Sequence, residues 1–198
     1  HSVSVPPLVA AIDNGEVQSP SSTRPCITTV GLDPWKGCDI AIRLAQAMPQ
    51  RLFLFVAGNR ANPGLVEEAE MLENVKLARW TDDMSVHYLQ TRVLLIPSRV
   101  EPFGRVAVEA GRYGIPSIAT DTGGLPEAVG AGGILLSPEA GQDYWIDAIK
   151  SLDDSLRHQQ LAMKATEHAR ALEPAHVLDL LESAIREHTG TDLASEVE

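Results

Sequence analysis

Two glutamates, Glu101 and Glu109, lie eight positions apart on either side of a Phe-Gly turn. Glu101 directly follows the apolar run 93–97, which is typical of a buried strand. Glu109 lies about a turn and a half into the amphipathic stretch that comes next. Carboxylates only accept hydrogen bonds, so the pair suits a ligand rich in hydroxyl groups, such as a ribose and a hexose. The alternative is two solvated acids, and their spacing alone does not decide between these interpretations.

Two further loops contain groups that suit phosphates or close backbone contact. Lys36 and the amides at a helix start in the segment 31–37 form a candidate phosphate cradle, with an exposed lysine as the alternative. The paired glycines Gly123 and Gly124 allow either close approach of a ligand or a tight turn. Glu127 lies in a predicted first helical turn, where the simplest role of its carboxylate is a favourable interaction with the helix dipole.

Three arginines are candidates for contact with a nucleotide. Arg79 follows a short strand and could lie against a nucleobase, although a surface arginine is the simpler interpretation. Arg99 and Arg105 flank Glu101 and could pair with that glutamate or with a diphosphate. Each of these two is also compatible with a solvated charge.

Alternating strand and helix patterns must position these residues. Hydrophobic runs and turn residues predict strands at 27–31, 52–57, 75–78, 93–96, 117–120 and 134–136. Helices are predicted at 37–48, 63–72, from the cap Asp82 to about 90, 103–113, 142–152, 154–172 and 175–188. Such alternation with short connections predicts a parallel sheet covered by helices on both faces. The predicted carboxyl edge of that sheet is where ligands bind in α/β proteins.

Composition excludes several classes of function. The chain has 198 residues, 44% of them hydrophobic, and a net charge of −11, which argues against general affinity for nucleic acids or anionic membranes. Cys26 and Cys38 lack metal-ligand or redox spacing, which favours thiols in a reducing, cytoplasmic compartment. No apolar run approaches the length of a membrane span, about eighteen residues. This observation is compatible with peripheral membrane association of a parent enzyme.

Domain boundaries follow from the same patterns. Residues 1–25 contain four prolines and are predicted to be a linker or extended arm. Residues 26–172 form the predicted globular domain, 173–188 a C-terminal helix and 189–198 a polar tail. The start lacks both Met and a basic region, so we expect no signal peptide, and both a fragment of a longer enzyme and a natural single domain fit this start.

The motif order resembles a known family. The order is Lys-Gly, then Pro-Ser-x-x-Glu-x-Phe-Gly-x-x-x-x-Glu-Ala, then Gly-x-Pro, then Asp-x-Gly-Gly-Leu-Pro-Glu. Over about residues 27–172 it resembles the C-terminal, donor-binding domain of retaining GT-B glycosyltransferases. That family includes sucrose and glycogen synthases and bacterial mannosyl- and glucosyltransferases. The resemblance implies a Rossmann-like three-layer α/β/α domain with a parallel sheet of about six strands, one half of a GT-B fold.

The resemblance also implies roles for individual residues. Glu101 would lie beside the transferred sugar, and Lys36 would neutralise the β-phosphate of the leaving nucleotide, making these two the catalytic candidates. Glu109 would hold the ribose hydroxyls. The remaining donor-binding candidates are the backbone positions and side chains of Gly31, Arg79, Phe103, Gly104 and Arg105. No metal or cofactor is expected beyond the nucleoside diphosphate sugar, because lysine and amides would carry the compensating charge.

Two departures and one absence limit what the resemblance implies. Leu32 stands where the family often has arginine, and Pro102 stands where glycine is common and offers no amide. The acceptor-binding N-terminal domain of such enzymes is not in this chain, and it is the expected partner. None of the predicted helical histidines, His87, His158, His168, His176 and His188, is a convincing base.

Our prediction is therefore the donor-binding half of a hexosyltransferase that turns over poorly or not at all by itself. The alternatives are a nucleotide-sugar epimerase on the same fold and a non-catalytic binding or scaffolding module, which Leu32 and Pro102 favour.

Overall fold

Strands and helices alternate through residues 24–173, the part of the chain that a computed structural model describes. The strands are β1 (Cys26–Val30), β2 (Leu52–Ala57), β3 (Val75–Arg79), β4 (Thr91–Ile96), β5 (Ser117–Thr120) and β6 (Gly133–Leu136). The helices are α1 (Cys38–Ala47), α2 (Pro63–Glu70), α3 (Ser85–Tyr88), α4 (Arg105–Arg112), α5 (Leu125–Val129), α6 (Gln142–Ser151) and α7 (Ser155–Ala171). Short 3-10 turns occupy Pro34–Lys36 and Gly130–Gly132. The predicted helix at 175–188, the polar tail and residues 1–23 of the predicted linker lie outside the described residues.

All six strands are parallel, in the order β3-β2-β1-β4-β5-β6. The prediction of a Rossmann-like α/β domain with a six-stranded parallel sheet is confirmed. The chain leaves β1 toward β2 on one side and returns to β4 on the other. The crevice between the carboxyl ends of β1 and β4 is therefore the switch point at which such sheets bind ligands.

Helices cover both faces of the sheet because neighbouring strand residues point to opposite sides. Leu54 and Val56 of β2 pack with α4 and α5 in one core cluster. Phe53 and Phe55 of the same strand pack with α1 and α6 in the other cluster. Both cysteines are free and buried in these layers. Within residues 24–173, no helix has the length and apolar character needed to cross a membrane.

One predicted helix is wrong in its length and its cap. The segment from Asp82 to about residue 90 forms only the single turn α3, and the carboxylate of Asp83, not Asp82, accepts a hydrogen bond from the Ser85 amide at 2.9 Å. The Thr91 hydroxyl donates to the His87 carbonyl at 2.8 Å just as β4 begins. Entry into the sheet therefore ends the turn that local propensity would have continued.

Candidate active site

The loops that follow β1 and β4 are in direct contact at the switch point. Gly37 has a φ of +67°, and a Cβ built on it would lie 1.9 Å from the Pro97 carbonyl oxygen, so only glycine fits there. The Arg99 amide donates to the Trp35 carbonyl at 2.8 Å. These contacts fix the loop that carries Lys36 against the loop that carries the first glutamate.

The two predicted catalytic residues form an ion pair across these loops. Lys36 Nζ lies 2.5 Å from Glu101 Oε2, and the Ser98 hydroxyl lies 3.4 Å from the same oxygen. The Glu101 side chain is only 9% exposed, whereas that of Lys36 is 34% exposed. A nearly buried carboxylate therefore faces a cation that solvent and a ligand can still reach.

The paired glycines support the backbone of Glu101. The Gly124 amide donates to the Glu101 carbonyl at 3.1 Å. A Cβ on Gly123 would lie 2.0 Å from that carbonyl oxygen, and one on Gly124 would lie 2.5 Å from the Pro102 carbonyl oxygen. The close packing of these two backbone segments therefore requires both glycines.

A cavity of about 210 Å³ opens between the loops after β1, β2 and β4. Its polar side chains carry charges of both signs, and Gly31 contributes backbone at its wall. The polar and charged lining residues are Asp33, Lys36, Asn59, Arg60, Ser98 and Glu101. The sequence prediction thus brings Gly31, Lys36 and Glu101 together at one site.

The second glutamate belongs to a separate group of contacts. Tyr88, 1% exposed, donates its phenolic hydroxyl to Glu109 Oε2 at 2.8 Å. Arg105 Nη2 lies 3.9 Å from the other carboxylate oxygen of Glu109. Burial, together with the neighbouring carboxylate, raises the pKa of Tyr88, so the phenol remains a proton donor at neutral pH. Neither Glu109 nor Arg105 lines the 210 Å³ cavity.

The other predicted donor-binding residues lie outside that cavity as well. Phe103 is 7% exposed and packs in the core. Gly104, with a φ of +98°, precedes α4, and a Cβ there would lie 2.7 Å from Leu125. Arg79 is exposed at the end of β3, where its carbonyl is hydrogen bonded to His87 Nε2 at 3.0 Å. Their backbone positions at the sheet edge stay predictions for ligand contact.

Arg99, one of the two candidate substitutes for a missing cation, is engaged elsewhere. Its guanidinium contacts both carboxylate oxygens of Asp39, at 2.7 and 2.8 Å, and donates to the Pro34 carbonyl. These hydrogen bonds lower the pKa of Asp39 to about 2. Leu32, in the family's arginine position, is fully buried in the core. Neither residue places a charge in the cavity.

Sequence reasoning missed the contribution of the loop after β2. Asn59 and Arg60 line the cavity, although neither was singled out as a candidate. The available signal was their position, since Gly58-Asn59 closes a predicted strand at the same sheet edge.

The described histidines have structural partners. His87 and His158 are buried and contact the carbonyls of Arg79 and Arg92, each at 3.0 Å. His168 Nε2 lies 2.7 Å from the Glu127 carbonyl oxygen, and His176 and His188 lie outside the described residues. Across residues 24–173, no three His, Cys, Asp or Glu side chains are grouped so that they could hold a metal ion.

A doubly wound parallel sheet with a charged cavity at its switch point defines the Rossmann-like class of α/β domain. Residues 16–171 match the profile of the family described as "Glycosyl transferases group 1", and the chain belongs to that family.

Individual relatives agree with this assignment. The chain is 29% identical to a D-inositol 3-phosphate glycosyltransferase of Nocardiopsis dassonvillei, with 84% of this chain and 46% of that protein aligned. Among solved structures, it is similar to sucrose-phosphate synthase of Thermosynechococcus elongatus, with 26% identity, a TM-score of 0.66, and 83% and 46% of the two chains covered. It is also similar to HepE of Anabaena in complex with UDP, with 25% identity, a TM-score of 0.70, and 84% and 50% covered. The chain thus spans about half the length of these relatives.

Proposed function

We propose that this chain is the donor-binding half of a retaining glycosyltransferase that moves a hexose from a nucleoside diphosphate sugar to an acceptor. The Lys36–Glu101 ion pair at the switch-point cavity carries this proposal. Membership in the glycosyltransferase family supports the reaction class, and the UDP complex of HepE supports a nucleotide donor.

Transfer of a sugar requires that charge be stabilised at two places. The departing diphosphate gains negative charge, which the Lys36 ammonium and the amides at the start of α4 would offset. The sugar gains oxocarbenium character, which the Glu101 carboxylate would stabilise. The 2.5 Å distance between Lys36 Nζ and Glu101 Oε2 supports this proposal, because it brings the two opposite charges together at one cavity. Lysine and amides supply the positive charge, so the proposed step needs no metal or cofactor.

Glu109 would bind the ribose. Its carboxylate accepts from Tyr88 through one oxygen and lies near Arg105 through the other, which fixes its direction. Each carboxylate oxygen has two lone pairs, so acceptor capacity remains for ribose hydroxyls.

The acceptor would be bound by a second, N-terminal domain, which is the partner we propose. That the chain spans about half of its relatives supports this proposal. We further propose a cytoplasmic location, supported by two buried thiols that form no disulfide.

A non-catalytic binding module is the second candidate, because Leu32 is buried in the core and Pro102 has no amide to donate. Such a module predicts no affinity for nucleotides.

Calorimetric titration of this chain with UDP, GDP and ADP separates the two candidates. A donor site predicts base-selective binding that Lys36→Ala and Glu109→Ala each weaken about tenfold or more, because each loses a charge-assisted contact. Arg157→Ala removes an exposed charge on α7 and serves as the matched control. Absence of binding to all three nucleotides, or equal effects of Lys36→Ala and Arg157→Ala, would contradict the donor site.

A further inference from the structure

The loop after β2 is held in place at the cavity by contacts on both sides. The Asn62 amide donates to the Leu32 carbonyl at 2.7 Å, which joins this loop to the one after β1. The Asn62 side chain caps α2 by accepting from the Leu65 amide at 3.2 Å. Ala61 donates its amide to the Gly58 carbonyl at 3.1 Å. Arg60 thus extends from a backbone turn with defined geometry.

Open space adjoins this turn at Gly58. A Cβ built on Gly58 would meet no atom within 4 Å, and Gly58, Asn59 and Arg60 all line the cavity. The wall of the cavity that holds the Lys36–Glu101 pair is therefore formed in part by Arg60, an exposed residue.

Charges in the cavity are unequally engaged. Lys36 is paired with Glu101, and Asp33 accepts from the Lys36 amide at 3.0 Å. Arg60, in contrast, makes no ion pair and no side-chain hydrogen bond with any residue in the range 24–173. It is the cavity cation that lacks a carboxylate partner within that range.

The other arginines at this edge are occupied. Arg99 is bound to Asp39 through two hydrogen bonds, and Arg105 lies near Glu109. Neither lines the cavity, and Leu32 brings no charge to it.

We propose that Arg60 binds the terminal phosphate of the nucleoside diphosphate and acts with Lys36 as the second cation on the leaving group. This inference rests on the proposed donor site. A guanidinium presents a planar fork of donors that matches two phosphate oxygens, whereas an ammonium acts as a point charge. Arg60 would therefore favour a diphosphate over a monophosphate, because only the diphosphate extends a second phosphoryl group from the ribose toward the lysine–arginine wall.

Paired titrations with UDP and UMP test this role. Arg60→Ala is expected to weaken UDP binding about tenfold and UMP binding less than about twofold, so that the preference for the diphosphate falls. Arg60→Lys is expected to give an intermediate loss, since it keeps the charge but not the fork. Arg157→Ala, which removes an exposed charge on α7, is expected to leave both affinities within about twofold.

Three results would overturn the inference. One is an equal loss of UDP and UMP affinity in Arg60→Ala, another is an effect no larger than that of Arg157→Ala, and the third is no nucleotide binding by the unmodified chain. The third would contradict the donor site itself. If UDP binds and Lys36→Ala weakens it while Arg60→Ala does not, only the role of Arg60 fails.

Discussion

The segments that follow β1 and β4 are joined by two ion pairs that differ in how completely their charges are used. Arg99 and Asp39 make two hydrogen bonds, and the arginine also donates to a carbonyl, with 46% and 30% of their side chains exposed. Lys36 and Glu101 make one contact, with 34% and 9% exposed. Within residues 24–173, Glu101 Oε1 accepts no hydrogen bond.

This difference distinguishes a structural contact from the contact that we propose for ligand binding. The outer pair, Arg99–Asp39, satisfies both oxygens of its carboxylate, so it holds the loops together and has little capacity left for a ligand. The inner pair, Lys36–Glu101, lines a cavity and keeps unused donors and one unused oxygen. The same two segments are therefore joined by one pair of fully engaged charges and by a second pair, at the cavity, for which we propose a role in ligand binding.

The largest expected effect is on the free energy of unfolding, when the loops separate and both ion pairs break. Gly37→Ala places a Cβ where the Pro97 carbonyl oxygen lies, at a φ that disfavours other residues, so the loops must separate. We expect the free energy of unfolding in urea to fall by about 2–4 kcal/mol. Gly58→Ala, whose Cβ meets nothing within 4 Å, should change it by at most about 0.5 kcal/mol. Equal stability of the two variants would show that the loops do not need this close approach.

Replacing the acidic residue of each ion pair by its amide should affect nucleotide affinity differently in the two pairs. Glu101→Gln eliminates a negative charge beside the proposed diphosphate site and frees the Lys36 ammonium, so UDP should bind about five- to tenfold more tightly. Asp39→Asn should leave the UDP dissociation constant within about twofold, because neither Asp39 nor its partner Arg99 lines the cavity. Calorimetry measures both. Weaker UDP binding by Glu101→Gln would mean that the carboxylate supports the nucleotide instead of competing for its cation.

Glu109 differs from the acids of the two ion pairs because it accepts a hydrogen bond from a neutral donor, the Tyr88 hydroxyl. Tyr88→Phe deletes the 2.8 Å hydrogen bond to Glu109 and should weaken UDP binding about three- to fivefold, equivalent to about 1 kcal/mol. If Tyr88 acts by positioning Glu109 toward the ribose, the loss should be smaller for UDP whose ribose lacks its hydroxyls. An equal loss for UDP and this deoxy analogue would assign Tyr88 a role in packing only.

The smallest expected effect is the pH dependence of the outer pair. Arg99, with a smaller contribution from Arg43, lowers the pKa of Asp39 from 3.8 to about 2, so the folded state holds the ionised carboxylate more strongly than the unfolded state does. The stabilisation is complete above about pH 4 and is lost as the pH falls toward 2. Because both side chains are partly exposed, we expect at most about 1 kcal/mol. Urea unfolding of the unmodified chain and Asp39→Asn at pH 7, 4 and 2.5 should show their difference shrinking with acid. If the difference in unfolding free energy did not change with pH, ionised Asp39 would not stabilise the folded state.

Local patterns predicted the elements well where apolar runs end at turn residues. The strands at 52–57 and 117–120 have the predicted bounds, since each is a short hydrophobic run closed by polar or glycine residues. The helix predicted from Asp82 failed because the start of β4 and a neighbouring aspartate ended it after one turn. Propensity acts over a few residues, and a contact with the sheet overrides it.

The sequence by itself determined the alternation of strands and helices, the parallel sheet and the family, and it identified Lys36, Glu101 and Glu109 as candidates. Tertiary structure alone decided the partner of each charge. Arg99 and Arg105 both flank Glu101 in the chain, yet the first binds Asp39 and the second lies near Glu109. Lys36 and Glu101 meet across 65 positions, and Arg60 joins their cavity from a third loop. Strand order and the close approach of loops set these distances, and no local pattern in the chain encodes them.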